Sequence, residues 1–331
     1  INIVRGPLGG RNFETYSEDP CLTSRLAVAY VRGVQSQGVA TSVKHFACNN
    51  QEIERFRSSS NLDERTLREI YLPAFEAAVK EAKPWTVMCS YNRINGIYAS
   101  QHYQLLKEIL KREWGFDGAV ISDWDANHSV FESIKCGLDL EMPGPVKYYG
   151  RLLEQAVANW QLDEADLDDA VRRMLRLIIR TGRQGKSNQR KPGSVNTPKH
   201  QALARQLAEE SIVLLKNERH ILPVNAKRIQ SLAVIGPNAA EGRIGGGGSS
   251  YAVPPYRVSP LCALQSRLGD TVKILYAKGC DNDVSLPIVP SDWLQLPDKS
   301  GVGLLGEYFN NADLDGPPVF TGQDARLDFW W

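Results

Sequence analysis

Asp123 follows the apolar run Gly118–Ser122 (GAVIS) and precedes Trp124. An acidic side chain at the end of a buried strand must stay solvated or hydrogen-bonded, because a lone buried carboxylate is expensive. It is either a helix N-cap or a group left free for chemistry. Asp125 is the better cap, which leaves Asp123 for chemistry. Lys44 and His45 follow a β-branched run, so strand alternation sends them to opposite sides. A site using both needs a local distortion of the backbone. Arg11 sits in Gly9-Gly10-Arg11-Asn12-Phe13-Glu14. Its guanidinium suits forked hydrogen bonds to vicinal hydroxyls or carboxylates, and a loop salt bridge with Glu14 is the plainer reading.

Other chemistries lack their residues. The five histidines (His45, His102, His128, His200, His220) include no i,i+4 pair, so no metal is expected. The run Gly245–Gly248 lacks the Lys-Ser/Thr ending of a P-loop and is rejected as a nucleotide signal. No G-x-S-x-G elbow occurs, which disfavours a serine hydrolase. No cofactor is called for.

The elements that must position these residues alternate in a regular rhythm. Thr41–Phe46, Thr86–Tyr91 and Gly118–Ser122 read as strands. Asn61, with Glu64 completing an N-x-x-E box, is expected to cap a helix bearing Leu67, Ile70, Tyr71, Ala74, Phe75 and Ala78 on one stripe. Pro73 lies within it and should kink or break it. A further helix places Leu105, Leu106, Ile109 and Leu110 together, and a short one is expected around Ser129–Lys135. A longer one carries Leu167, Val171, Met174, Leu175 and Ile178. This is an α/β chain with a parallel sheet. Strand ends are polar at Lys44-His45, Ser90-Tyr91, Ser122-Asp123 and Glu141. In a (β/α) barrel such ends converge on the catalytic face; an open doubly wound sheet has the same local pattern.

Residues 183–198 carry almost no apolar side chain and read as a linker. A helix follows over about 199–217, then strands at Ser231–Gly236 and Val272–Ala277, giving a second α/β domain. From about Gly303 the chain is rich in aromatics and turn residues, like the start of a β-sandwich. The expected domains are 1–182, a linker over 183–200, 201–302 and 303–331. The 331 residues match about two domains at roughly 150 each.

Thirty-nine basic residues against 38 acidic ones argue against a nucleic-acid or anionic-membrane binder. No apolar run approaches the length of a membrane span. Six cysteines (Cys21, Cys48, Cys89, Cys136, Cys262, Cys280) without a CxxC pair read as reduced, mostly packed thiols, which leans towards the cytoplasm. The chain opens at Ile1 and stops at Trp330-Trp331, so it reads as a fragment whose own leader is not visible.

Together, PLGGRNFETYSEDP (7–20), VKHFACNNQE (43–52), DERTLREIYLPAFEAAV (63–79), VMCSYNRING (87–96), LKREWGFDGAVISDW (110–124) and GLDLEMPG (137–144) strongly resemble the family-3 glycoside hydrolases of β-glucosidase type. LARQLAEESIVLLKN (203–217), ILPV (221–224) and AVIGPNA (233–239) continue the match. The resemblance implies a TIM-type (β/α) barrel, its first strands missing, followed by a flavodoxin-like α/β sandwich. The last residues resemble the start of a protective-antigen-type β-sandwich insertion. It implies that Asp123 is the nucleophile and that Arg11, Lys44 and His45 bind sugar hydroxyls. Met88 and Tyr91 approach the first sugar subsite, and Trp124 forms an apolar wall. A non-proline cis peptide is expected between Val43 and Ala47, turning Lys44 and His45 to one pocket.

The activity implied is retaining, exo-acting removal of terminal β-D-glucosyl residues by double displacement. A second carboxyl about 5–5.5 Å from the first must act as acid and base, with a pKa above the nucleophile's. In the resembling branch it is a Glu beyond this chain; Glu209 and Glu210 do not match it. The substrates are β-glucosides or short oligosaccharides, with neither nucleic acid nor membrane as partner. Exposed sheet edges of an incomplete barrel would favour self-association. The alternatives are a β-xylosidase or arabinosidase of the same family, a carbohydrate-binding relative without turnover, or a truncated chain that is itself inert.

Overall fold

A computed structural model describes residues 1–184, 193–245, 247–282 and 288–326. The chain divides into two compact units, Ile1–Ile212 with Gly245–Val253, and Val213–Ile244 with Pro254–Trp331. Part of the expected linker (185–192) and the final Trp330-Trp331 lie outside the described residues.

In the first unit, helix α1 (Pro20–Gln35) starts where Asp19 accepts the Cys21 N–H and Pro20 supplies a preset φ. It buries Ala27, Val28 and Val31 and packs on Pro73–Ala77. Strand β1 (Ser42–Phe46) pairs in parallel with β2 (Thr86–Cys89), and β2 with β3 (Ala119–Ser122). A parallel bridge from Ile121 to Leu140 continues the order. Sequence neighbours are thus sheet neighbours throughout. Pairing of β1 with β2 runs in register at Ser42 and Val43 and is irregular before Phe46.

Behind the sheet lies one apolar core. Phe46 meets Phe75 edge-on at 5.0 Å and Trp114 at 5.9 Å. Leu105, Leu106, Ile109 and Leu110 are all fully buried there, as their spacing predicted. Burial of each such side chain contributes about 1.5–3 kcal/mol.

The helical segment 64–82 departs from expectation in two ways. Its cap is Asp63, which accepts both the N–H and the hydroxyl of Thr66 at 2.8 Å. Asn61 instead accepts from Ser59; the ionised Asp63, nearer the first turn, is the stronger acceptor. The stripe buries Leu67, Ala74, Phe75 and Ala78, but Ile70 is exposed. Pro73, lacking an N–H, sits at the expected break: a wide turn closes from the Leu72 N–H to the Leu67 carbonyl, and a new helical stretch begins at Pro73.

Helices α2 (Phe131–Cys136), α3 (Arg151–Ala158), α4 (Glu164–Arg180) and α5 (Pro198–Ser211) follow. On α4 only Ala170 is fully buried, while Val171, Leu175 and Ile178 are exposed. Helix α5 ends six residues before the expected Asn217, with Ile212 already extended. Ile212 and Val213 are β-branched, the type that gives up most χ1 freedom in a helix.

In the second unit, β4 (Ser231–Ile235) and β5 (Lys273–Ala277) pair in parallel, close to the expected strands, with helix α6 (Pro260–Leu268) between them. β6 (Leu304–Tyr308) and β7 (Phe320–Asp324) pair antiparallel. Tyr308 packs on Phe320 and donates its hydroxyl to Asp324 at 2.7 Å. All six cysteines are free, but only Cys48 and Cys89 are buried and Cys136 half-buried; Cys21, Cys262 and Cys280 are exposed, against the expectation of mostly packed thiols.

Candidate active site

β3 ends by delivering Asp123. Its N–H donates to the Cys89 carbonyl at 3.1 Å, extending the ladder one residue past the strand. The carboxylate is 9% exposed. Oδ1 accepts the Trp124 N–H at 2.8 Å, whereas Oδ2 has no hydrogen-bond partner among the described residues. Neither acid caps a helix: α2 begins after Val130, and Asp125 pairs with Lys147 at 2.6 Å. Asn127 and Ser129 do the work of a cap through Ser133.

β1 delivers Lys44 and His45. The stretch in which one cis peptide was expected holds two, at Lys44–His45 and Phe46–Ala47. Asn2 grips the His45 backbone from both sides, accepting its N–H and donating to its carbonyl, each at 2.9 Å. His45 Nε2 lies 3.3 Å from Asp123 Oδ2 and is likewise unpartnered. Burial, then the charges of Arg11 and Lys44, push the imidazole's pKa down to about 2. His45 is therefore neutral, and the cations near Asp123 are Arg11 and Lys44 in the cleft wall.

β2 leads to Met88 and Tyr91. Tyr91 is buried, with its ring 4.4 Å from that of Phe56. Burial and the neighbouring Asp123 carboxylate push its phenol's pKa up, so it stays a hydrogen-bond donor.

Arg11 is presented by a glycine turn. Gly10 has φ +76°, and a Cβ there would stand 2.8 Å from the Glu52 side chain, so the turn requires glycine. The plainer reading of Arg11 holds as far as its ion pair with Glu14 at 2.5 Å. The same guanidinium also faces a cleft of about 920 Å³.

That cleft gathers Arg11, Lys44, Met88, Tyr91, Asp123 and Trp124, all singled out from sequence. His45 adjoins Asp123 and lines a smaller hollow of about 290 Å³ that shares Arg11 and Lys44. Trp124 is 57% exposed at the edge of the cleft. Sequence reasoning missed Glu52 and Arg55, which also line the cleft, are ion-paired to each other and follow directly on the KHF stretch. It also set aside the glycine run, yet Gly247, Gly248 and Ser249 border the cleft within the first unit. Glu209 and Glu210 bond along their own helix, to Arg205 and Gln206.

The cleft thus sets a carboxylate at a strand end among cations and aromatic rings. The N-terminal domain of glycosyl hydrolase family 3 matches residues 1–177, and the C-terminal domain of that family matches 212–318. The chain belongs to glycosyl hydrolase family 3. A β-glucosidase of Rhizobium radiobacter is 44% identical over the whole chain, which spans 39% of that protein. Among solved structures, a Kluyveromyces marxianus β-glucosidase in complex with glucose is 36% identical with a TM-score of 0.78, over 98% of this chain and 40% of that one. DesR, a β-glucosidase from Streptomyces venezuelae in complex with D-glucose, is 37% identical with a TM-score of 0.79, over 88% and 38%. The chain thus spans about two-fifths of the length of these family 3 relatives.

Proposed function

We propose that the whole protein is a retaining, exo-acting β-glucosidase and that Asp123 is its nucleophile. The observation that supports this most is the buried Asp123 Oδ2, without a hydrogen-bond partner among the described residues, at a cleft lined by Arg11 and Lys44. In this reading Arg11, Lys44 and His45 hold the hydroxyls of the terminal glucosyl residue, Met88 and Tyr91 flank its ring, and Trp124 walls one side. Oδ2 attacks the anomeric carbon, the aglycone leaves with a proton, and water releases the sugar from the ester. Neutral His45 donates or accepts a hydrogen bond without quenching the attacking charge. Glu14 and Glu52, the other carboxylates of the cleft, are each paired with an arginine; as the family resemblance implies, the acid/base is taken to be a Glu outside this chain.

The sequential order β1-β2-β3 and the onward bridge to Leu140 support a (β/α) barrel, in which strands follow one another around the sheet. The 304–324 hairpin supports a protective-antigen-type module from 303 onward, after a partial barrel (1–182), a linker (183–200) and a partial α/β sandwich (201–302).

The test uses the whole protein with a 2-deoxy-2-fluoro-β-glucoside bearing a good leaving group, followed by peptide mass spectrometry. Fluorine slows both steps and the activated leaving group lets the first proceed, so a glucosyl adduct accumulates. An adduct on Asp123 is expected. An adduct on another residue sinks the assignment, and none at all sinks the glucosidase reading.

A further inference from the structure

Arg55 has no place in the mechanism above, yet it is built into the wall of the cleft. Its guanidinium carbon lies 4.8 Å from the centre of the Tyr91 ring and 5.2 Å from that of Phe56. The two rings are themselves 4.4 Å apart. A cation lying over two adjoining rings is attracted by both quadrupoles, more so when shielded from water, and the Arg55 side chain is only 32% exposed. Its Nη1 donates to the Glu52 carboxylate. The loop carrying both is fixed by its own backbone, since the Arg57 and Ser58 N–H groups each donate to the Glu54 carbonyl at 2.7 Å.

Glu52 reaches further. Its side chain fills the space beside Gly10, where no Cβ fits. One ion pair therefore joins the two sides of the cleft: the turn that presents Arg11 and the ring whose phenol faces Asp123.

We propose that Arg55, anchored by Glu52, is a positioning residue: it fixes the Tyr91 ring from one face so that the phenol meets the Asp123 carboxylate in the geometry the nucleophile needs. This rests on reading Asp123 as the nucleophile. The charge of Arg55 also opposes the rise in the phenol's pKa caused by burial and Asp123. Arg55 touches no reacting atom in this scheme, and its effect passes through Tyr91.

The test is Arg55→Met in the whole protein, with 4-nitrophenyl β-glucoside as substrate. The expected result is a loss of about tenfold in kcat with KM moving less than threefold. The rate of labelling by the 2-fluoroglucoside should fall by the same factor, because that rate reads the first step alone. Arg55→Lys, which keeps a cation against the ring, should recover at least threefold. A folded Arg55→Met within twofold of wild type, or a loss confined to KM, overturns the proposal, as does a lysine variant no better than methionine. If Arg55→Met does not fold, Phe56→Leu decides. Phe56 is partly exposed and its loss removes one of the two rings under the guanidinium, so about threefold lower kcat is expected and no change overturns the inference. A wild-type protein that neither hydrolyses nor labels is a different failure: it removes the glucosidase reading, and this inference with it.

Discussion

The two ends of β3 bury charge in opposite ways. Beside its first residues, Lys111 donates to Asp139 at 2.7 Å, and the second Asp139 oxygen accepts the Val120 N–H at 2.7 Å. Asp169 adds a second carboxylate near Lys111 and binds Arg173, which donates to the carbonyls of Phe116 and Gly118. Burial pushes the Lys111 pKa down and the Asp139 pKa up, so the pair stands through mutual attraction and completed hydrogen bonds. At the other end, Asp123 and His45 are as deeply buried, but their facing atoms are unfinished. Depth of burial does not separate the two ends of the strand; the completeness of their hydrogen bonds does. A finished network of this kind holds the fold.

That contrast can be broken by variants at each end. The largest effect is expected from Asp123→Asn: a loss of 10⁴-fold or more in hydrolysis of 4-nitrophenyl β-glucoside by the whole protein. Its thermal midpoint should be unchanged or raised, because a buried unpartnered charge has gone. Lys111→Met should do the reverse, lowering stability in urea unfolding by about 3–5 kcal/mol while kcat/KM per folded molecule stays within twofold. Lys111→Met with Asp139→Asn should cost clearly less than the single change, since no orphan charge remains and the amide oxygen still takes the Val120 N–H.

His45 gives a smaller, pH-dependent effect. Its pKa is about 2 when folded and near 6.5 when unfolded. Between these values the unfolded chain binds a proton that the folded chain does not. Stability is therefore full above about pH 6.5 and falls as pH drops below it, by at most about 1.4 kcal/mol per unit. Unfolding measured at pH 7, 6 and 5 should show that slope, and His45→Gln should flatten it. The smallest effect is expected at Asp125→Asn, which breaks the exposed pair with Lys147 and should leave the thermal midpoint unresolved from wild type.

Strands were legible within a residue or two because β-branched runs between charged stretches have few other uses. Asp123 stood out for its place at the end of one. Glu141 carried the same signal, a polar residue after an apolar run, yet it accepts the backbone N–H groups of Lys147, Tyr148 and Tyr149 and holds a loop. Position at a strand end cannot tell a ligand-facing carboxylate from one that staples a turn. Helix ends were less legible: Asn61 and Asp63 are both good caps, and the choice depends on where the Ser59–Ser60 bridge to Arg93–Ile94 releases the chain. Glu52 and Arg55 escaped because they lie in a polar loop without periodicity, and their meaning comes from Tyr91 and Gly10, far away in sequence.

Trp124 stands at the edge of the cleft, next in sequence to the buried carboxylate and open to water over much of its indole. Indole emission responds to the polarity and charge around the ring. A sugar seated in the cleft would strip solvent from one face of Trp124 without touching the packed Trp114 in the core. The molecule thus carries its own optical gauge of occupancy, placed one residue from the proposed nucleophile and readable without any label.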